Sequence, residues 1–188
     1  MLRMRPNRAA NMLMNDLGIR RKAPIDVNEV VARLSQIKHM VVQIHEEKFA
    51  NSLNGISAIL VKEKNKAIIA VNSIDSESRK RFSISHELGH LLLHGNHEGL
   101  KVEKGIQPQL FNKVVYTRAD AVHDKAEREA NEFAAELLMP EDLIKTDFEK
   151  ALKDNDDNLI SVLAKKYKVS EIAMQYRLNN LHLVEFVD

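Results

Sequence analysis

His86, Glu87 and His90 are the residues of this chain whose types and spacing could do chemistry together. They belong to the run His-Glu-Leu-Gly-His, and on an α-helix residues four apart lie on one face, so both imidazoles could meet one ion. Neutral imidazoles suit zinc, and a bound zinc ion lowers the pKa of its water from about 15.7 to roughly 7. Glu87 would then take the water proton as a general base and pass it on as a general acid.

The spacing is that of the HExxH motif of zinc peptidases, and a catalytic zinc ion needs one more protein ligand. His94 continues the same helical row but lies about 12 Å along the axis from His86, which is too far to share one ion. The extended motif with glycine and a third histidine is absent, since Leu92 and Asn96 stand at those positions. His97 could approach only if the chain turned back sharply.

The remaining candidates for the third ligand are the carboxylates of a downstream alanine-rich segment, Glu127, Glu129, Glu132 and Glu136. Its small alanines would let this helix pack closely against another helix. Glu127 and Asn131 stand four apart, so the first could bind zinc while the second hydrogen-bonds a ligand. For the other three glutamates, a solvated charged face is the better interpretation.

Apolar spacing, caps and stops predict the helices around these residues, at 9–17, 26–34, 75–92, 125–139, 141–152, 159–167 and 170–181. β-branched and apolar runs predict a strand at 39–44 and a hairpin over 55–71. Residues 95–122 are predicted to form a loop, with at most a strand at 114–117. The expected fold is α+β, a small, mostly antiparallel sheet packed with several helices in one domain over residues 1–188.

Composition narrows the class of protein. The chain has 188 residues, 44% of them apolar, and its 27 acidic and 28 basic residues nearly cancel. The chain therefore has no basic excess of the kind that nucleic acid or an anionic membrane would attract. The absence of cysteine excludes disulfides and thiolate ligands and fits a reducing cytosol. We expect a soluble cytoplasmic protein, with no direct nucleic-acid or membrane partner.

Two stretches of the chain resemble the ImmA/IrrE metallopeptidases: RFSISHELGHLLLH at 81–94 and EREANEFAAELLMP at 127–140. The likeness extends over about residues 5–183. It implies a gluzincin-like site whose third metal ligand is the first glutamate of the second stretch, Glu127. It also implies Zn²⁺ as the cofactor, although Mn²⁺ or Fe²⁺ could occupy the same ligands.

The same resemblance implies a function and a partner. Members of this family commonly cleave a helix-turn-helix repressor and so release genes of mobile elements or stress responses. We therefore expect a zinc-dependent endopeptidase whose protein substrate is an XRE-type transcriptional repressor. Nothing in the sequence indicates the oligomeric state or the activating signal.

A second hypothesis is a DNA-binding regulator with a structural or vestigial metal site. The segment 163–174 is similar to a helix-turn-helix. Against this hypothesis, Lys168 stands where glycine is usual, and Arg177 is the one strongly basic residue in the second helix after Glu171. Tyr116 and His123 could donate a hydrogen bond to an oxyanion, but a structural role is commoner for such residues.

Gly89 inside the motif costs a helix about 1 kcal/mol relative to alanine. We expect a close contact there, with a strand of the sheet or with the substrate.

Overall fold

A computed structural model describes residues 5–37, 40–50, 56–94, 99–104, 118–153 and 158–184, with the backbone alone described at 99–104 and 118–124. The helices in this part of the chain are α1 Pro6–Asp16, α2 Val27–Ile37, α3 Glu77–Leu93, α4 Arg118–Leu138, α5 Glu141–Lys153, α6 Leu159–Tyr167 and α7 Glu171–Asn180. The strands are β1 Val41–Glu47, β2 Ile56–Glu63, β3 Lys66–Asn72 and β4 Gly99–Lys104. The predicted α+β fold is confirmed. No helix among the described residues combines the length and apolarity needed to cross a membrane.

The strands form one sheet in the order β1-β3-β2-β4. The predicted hairpin pairs β2 with β3 in antiparallel fashion, with Leu60 opposite Ile69. β4 joins β2, also antiparallel, whereas β1 runs parallel to β3 with Ile44 opposite Ile69. The sheet is therefore mixed and mostly antiparallel, as predicted.

Two helix starts show how the sequence sets local structure. The carboxylate of Asp26 accepts hydrogen bonds from the backbone N–H groups of Asn28, at 2.9 Å, and Glu29, at 3.1 Å, and thereby caps α2. The hydroxyl of Ser76 accepts from the backbone N–H of Arg79 at 3.4 Å and caps α3, the helix that carries the motif. Both caps lie where the sequence predicted a helix to begin.

The predicted loop at 95–122 is wrong at both of its described ends. Residues 99–104 form strand β4, and α4 begins at Arg118 rather than near Lys125. β4 is stabilised by its ladder with β2, a non-local pairing that the local apolar pattern does not record. The strand predicted at 114–117 lies outside the described residues.

Helix α3 lies at the centre of the molecule. The nine consecutive residues 83–91 are all buried, so the helix is covered on every side along this stretch. It packs against β2 and β3 of the sheet and, most extensively, against α4. The HExxH motif is therefore part of the interior of the protein.

Gly89 lies where α3 and α4 approach each other closely. A Cβ atom built on it would lie 3.0 Å from the Cα of Ala130 and 3.2 Å from its carbonyl oxygen. Ala130 and Ala134 are fully buried, which confirms the close packing predicted from the alanines of α4. The contact expected at Gly89 exists, but its partner is α4 rather than a strand or a substrate.

Glu136 corrects the prediction of a solvated face, because only 2% of its surface is exposed. Its carboxylate accepts hydrogen bonds from Arg177 of α7, from the Asn11 amide of α1 at 2.9 Å and from the backbone N–H of Glu141 at 3.2 Å. Arg177 also donates to the carbonyl oxygen of Met139 at 2.9 Å. These partners are distant in sequence, so helical periodicity alone could not reveal that Glu136 is buried.

Gly89→Ala should lower the free energy of unfolding by roughly 1–2 kcal/mol, because the added methyl group meets backbone atoms of α4 that cannot move aside cheaply. Helix propensity alone would favour alanine by about 1 kcal/mol. Urea unfolding followed by circular dichroism measures the change. Ala32→Gly at an exposed position of α2 calibrates the propensity term, and a Gly89→Ala protein more stable than wild type would contradict the packing argument.

Arg177→Met should destabilise the fold by about 3 kcal/mol, because it leaves the buried carboxylate of Glu136 without its ionic partner. Adding Glu136→Gln to this variant should restore part of the loss, since the buried charge is then gone as well. Thermal unfolding of both variants measures this difference. Equal stability of the single and the double variant would show that the charge is not the cause.

Candidate metal centre

Three side chains converge where α3 packs against α4. The Nε2 atoms of His86 and His90 lie 2.8 Å apart. One carboxylate oxygen of Glu127 lies 3.2 Å from His86 Nε2, and the other lies 3.2 Å from His90 Nε2. Among the described residues, this cluster could hold a metal ion. It brings together the two motif histidines and the glutamate that the resemblance implied.

The donor set and its spacing fit a catalytic zinc ion. Tetrahedral zinc with ligand atoms at about 2.0–2.1 Å holds those atoms about 3.3 Å apart, close to the 3.2 Å between Glu127 and each imidazole. The two imidazole nitrogens, at 2.8 Å, would need to separate slightly. Two nitrogen ligands and one carboxylate leave a coordination position for water, which distinguishes catalytic sites from closed structural ones.

The electrostatics of Glu127 favour the ligand form of the carboxylate. Burial by itself raises the pKa of Glu127, but its hydrogen bonds with His86 and His90 lower it by more. The pKa of Glu127 therefore lies well below its ordinary value, and the group is ionised at neutral pH. An ionised carboxylate is what a divalent cation requires.

Asn131 orients His86. The side-chain oxygen of Asn131 lies 2.8 Å from His86 Nδ1, which confirms the predicted hydrogen bond between this amide and a candidate ligand. A neutral His86 ring that donates from Nδ1 to Asn131 would have its lone pair on Nε2, as coordination of a metal ion requires. Because Glu127 and Asn131 are one helical turn apart, α4 supplies both the candidate ligand and the group that orients another.

Glu87 directly follows His86 in the buried stretch of α3. It is 1% exposed, and His86 is fully buried. The helix that carries Glu87 and the candidate ligand His86 packs against β2 and β3 of the sheet and against α4. The position is rigid and shielded from bulk water.

The other candidates from the sequence lie elsewhere. The Nε2 of His94 is 3.4 Å from a carboxylate oxygen of Glu129, so this pair forms a second link between α3 and α4 outside the metal cluster. Glu129 is 17% exposed, and the prediction of a solvated face is wrong for it, whereas Glu132 is exposed as predicted. His97 and Tyr116 and the side chain of His123 lie outside what the structure describes.

The structure places the basic residue of the alternative DNA-reading helix in the interior. Helices α6 and α7 pack together as predicted, and Lys168 between them adopts the left-handed conformation with φ of 53°. Arg177 of α7 is only 9% exposed and pairs with Glu136, so it holds α7 against α4. A side chain used in this way is not available to contact DNA.

The family model of Peptidase M78, described as the IrrE N-terminal-like domain, matches residues 37–179, which include the whole metal cluster. The chain belongs to this family. The ImmA/IrrE resemblance found in the two motifs is therefore confirmed.

One solved structure shows the same fold in another protein. A Mycobacterium tuberculosis transcriptional regulator is similar with a TM-score of 0.58 at 17% sequence identity, over 93% of this chain and 46% of that chain. This Peptidase M78 chain thus spans about half the length of that regulator. Comparison with curated proteins yields no match.

Asn131→Ala should weaken zinc binding by roughly 10- to 100-fold, because His86 loses the acceptor that orients its ring. Asn131→Asp keeps an acceptor and should retain most of the affinity. Competition with a chromophoric chelator measures the dissociation constants, and Glu149→Ala at an exposed position of α5 is the control. Unchanged affinity in Asn131→Ala would show that the amide does not act on the metal centre.

Proposed function

We propose that this Peptidase M78 protein is a cytoplasmic, zinc-dependent endopeptidase, with residues 1–188 as a single metallopeptidase domain. The observation that carries the proposal is the convergence of His86, His90 and Glu127, with Nε2-to-carboxylate distances of 3.2 Å. Glu87 follows His86 on the same buried stretch of helix. Two histidines, one carboxylate and a neighbouring acid are the set that metal-assisted hydrolysis of a peptide bond requires.

Each side chain has a defined task in this proposal. His86, His90 and Glu127 hold the ion, and Asn131 keeps His86 in the ligand tautomer. When bound, zinc supplies a water of lowered pKa and an electrophile for the substrate carbonyl. Glu87 would accept a proton from the attacking water and deliver it to the nitrogen of the leaving amine.

The rigidity of the centre supports this assignment. The candidate ligands are on two helices that touch through backbone atoms at Gly89 and Ala130, so their relative position cannot drift without loss of packing. The carboxylate of Glu87 is buried, and electrostatic interactions are stronger in the interior of the protein than in bulk water. Preorganisation of this kind is what a general base next to a metal needs.

For the substrate, we propose an XRE-type helix-turn-helix repressor, whose cleavage would derepress mobile-element or stress genes. The support is the resemblance of the two motifs to the ImmA/IrrE peptidases and the fold shared with a protein described as a transcriptional regulator. The rival hypothesis, a DNA-binding regulator with a structural or vestigial metal, is weakened because Arg177 is buried in an ion pair. A gel-shift titration with DNA separates the two hypotheses.

Glu87→Gln should reduce cleavage of a candidate repressor by about 10²- to 10⁴-fold while leaving zinc affinity nearly unchanged, because the amide cannot accept the water proton. Cleavage is followed by mass spectrometry of the products, and zinc by chelator competition. Glu132→Gln makes the same chemical change at an exposed position of α4 and should behave as wild type.

A chelator should abolish cleavage by the wild-type protein, and added zinc should restore it. Cleavage that survives both the chelator and Glu87→Gln would refute the peptidase proposal. Native metal content, measured after purification without added ions, distinguishes zinc from manganese and iron.

A further inference from the structure

A cavity of about 480 Å³ lies between α3, α4 and α7. Its wall is mostly apolar, with Phe82 from α3, Ala135 from α4 and Ala173 from α7. The described residues that line it include none of the candidate metal ligands and not Glu87. The cavity is therefore separate from the place where a peptide bond would be hydrolysed.

The size and charge of the cavity indicate what it would hold. Pockets of about 300–1,000 Å³ with mainly apolar walls are typical of small-molecule sites. Among the residues that the structure describes, the wall carries three arginines and one carboxylate. Arg177 is paired with Glu136, and Arg79 Nε lies 3.3 Å from the carboxylate of Asp75. Arg128 and Glu132 have opposite charges and interact across one turn of α4. Because these charges are already compensated, the wall favours a neutral, largely apolar molecule over an ion.

Two residues connect the cavity to the metal centre. Asn131 lines the cavity, and its side-chain oxygen lies 2.8 Å from His86 Nδ1. Phe82 also lines it, and its ring centroid is 6.4 Å from that of His86. A molecule in the cavity would thus contact Phe82 and Asn131, two residues that lie next to His86.

We propose that the α3–α4–α7 cavity binds a small, neutral, mainly apolar molecule, which strengthens metal binding by holding Asn131 against His86. This role goes beyond peptide hydrolysis: it requires a metal at His86, His90 and Glu127, but not cleavage of any substrate. Coupling between two sites is reciprocal, so zinc must tighten binding of the apolar molecule by the same factor.

The test uses N-phenyl-1-naphthylamine, a neutral apolar fluorophore, titrated into the full chain with and without zinc. We expect one probe per chain, and an affinity roughly fivefold or more higher in the zinc-loaded protein. Asn131→Ala should still bind the probe but lose the dependence on zinc, because the link to His86 is gone. Since no step involves proteolysis, failure of the peptidase proposal would leave these results unaffected.

Variants that fill the cavity locate the probe. Ala173→Phe on α7 and Ala135→Leu on α4 should each weaken probe binding by about tenfold or more, since they occupy the space it needs. Ala32→Leu enlarges an exposed alanine of α2 and should leave binding unchanged. Circular dichroism confirms that each variant is folded.

Probe binding that both filled variants retain would overturn the proposal, and so would binding that zinc does not affect. Should both filled variants unfold, amide chemical shifts of the wild-type protein decide the question. Probe-induced shifts at Phe82, Asn131 and Ala173 would support the site, and shifts confined to other elements would overturn it.

Discussion

The close approach of α3 and α4 at Gly89 and Ala130 is the constraint on which the rest of the structure depends. Glycine on one helix and alanine on the other allow backbone atoms to meet, with a distance of 3.0 Å from a built Cβ to the Cα of Ala130. At this separation the carboxylate of Glu127 reaches both histidines of α3. A larger residue at either position would force the helices apart and move the candidate ligands out of reach of one another.

The position of α4 is in turn held by buried polar groups that each require a partner. Glu136, nine residues beyond Glu127, accepts hydrogen bonds from Asn11 of α1 and Arg177 of α7. A buried carboxylate without such partners would be costly, so these contacts select one arrangement of α1, α4 and α7. The same logic holds at the metal centre, where Asn131 satisfies His86. Glu136, which fixes the packing of α4, and Asn131, which contacts the candidate ligand His86, thus lie close together on the same helix.

Helices α3 and α4 form two sites along one contact. Toward the C-terminal end of α3, the two helices bring together the candidate metal ligands. Toward the N-terminal end of α3, they line the cavity together with α7. Asn131 stands between the two, in contact with His86 and exposed to the cavity. A change in the packing of α7 on α4 would therefore affect the candidate metal site through only two groups, the amide of Asn131 and the imidazole of His86.

The sequence by itself determined the features that depend on local spacing. The four-residue interval of His86 and His90, and that of Glu127 and Asn131, each place two side chains on one helical face. Capping residues and apolar periodicity likewise marked most of the helices. The four-residue spacing of Glu127 and Asn131 favoured Glu127 among four glutamates, and the likeness of its motif to a known family implied the same residue.

Only the tertiary structure decided which charged residues are buried, where β4 pairs and where a cavity remains. Glu136 and Arg177 look like surface residues in sequence, yet each becomes the partner that the other needs in the interior. β4 pairs with β2 in its ladder, and the cavity lies between residues of α3, α4 and α7 that are far apart in sequence. Such features arise from contacts between distant segments, so no local stretch of the chain contains the interactions that stabilise them.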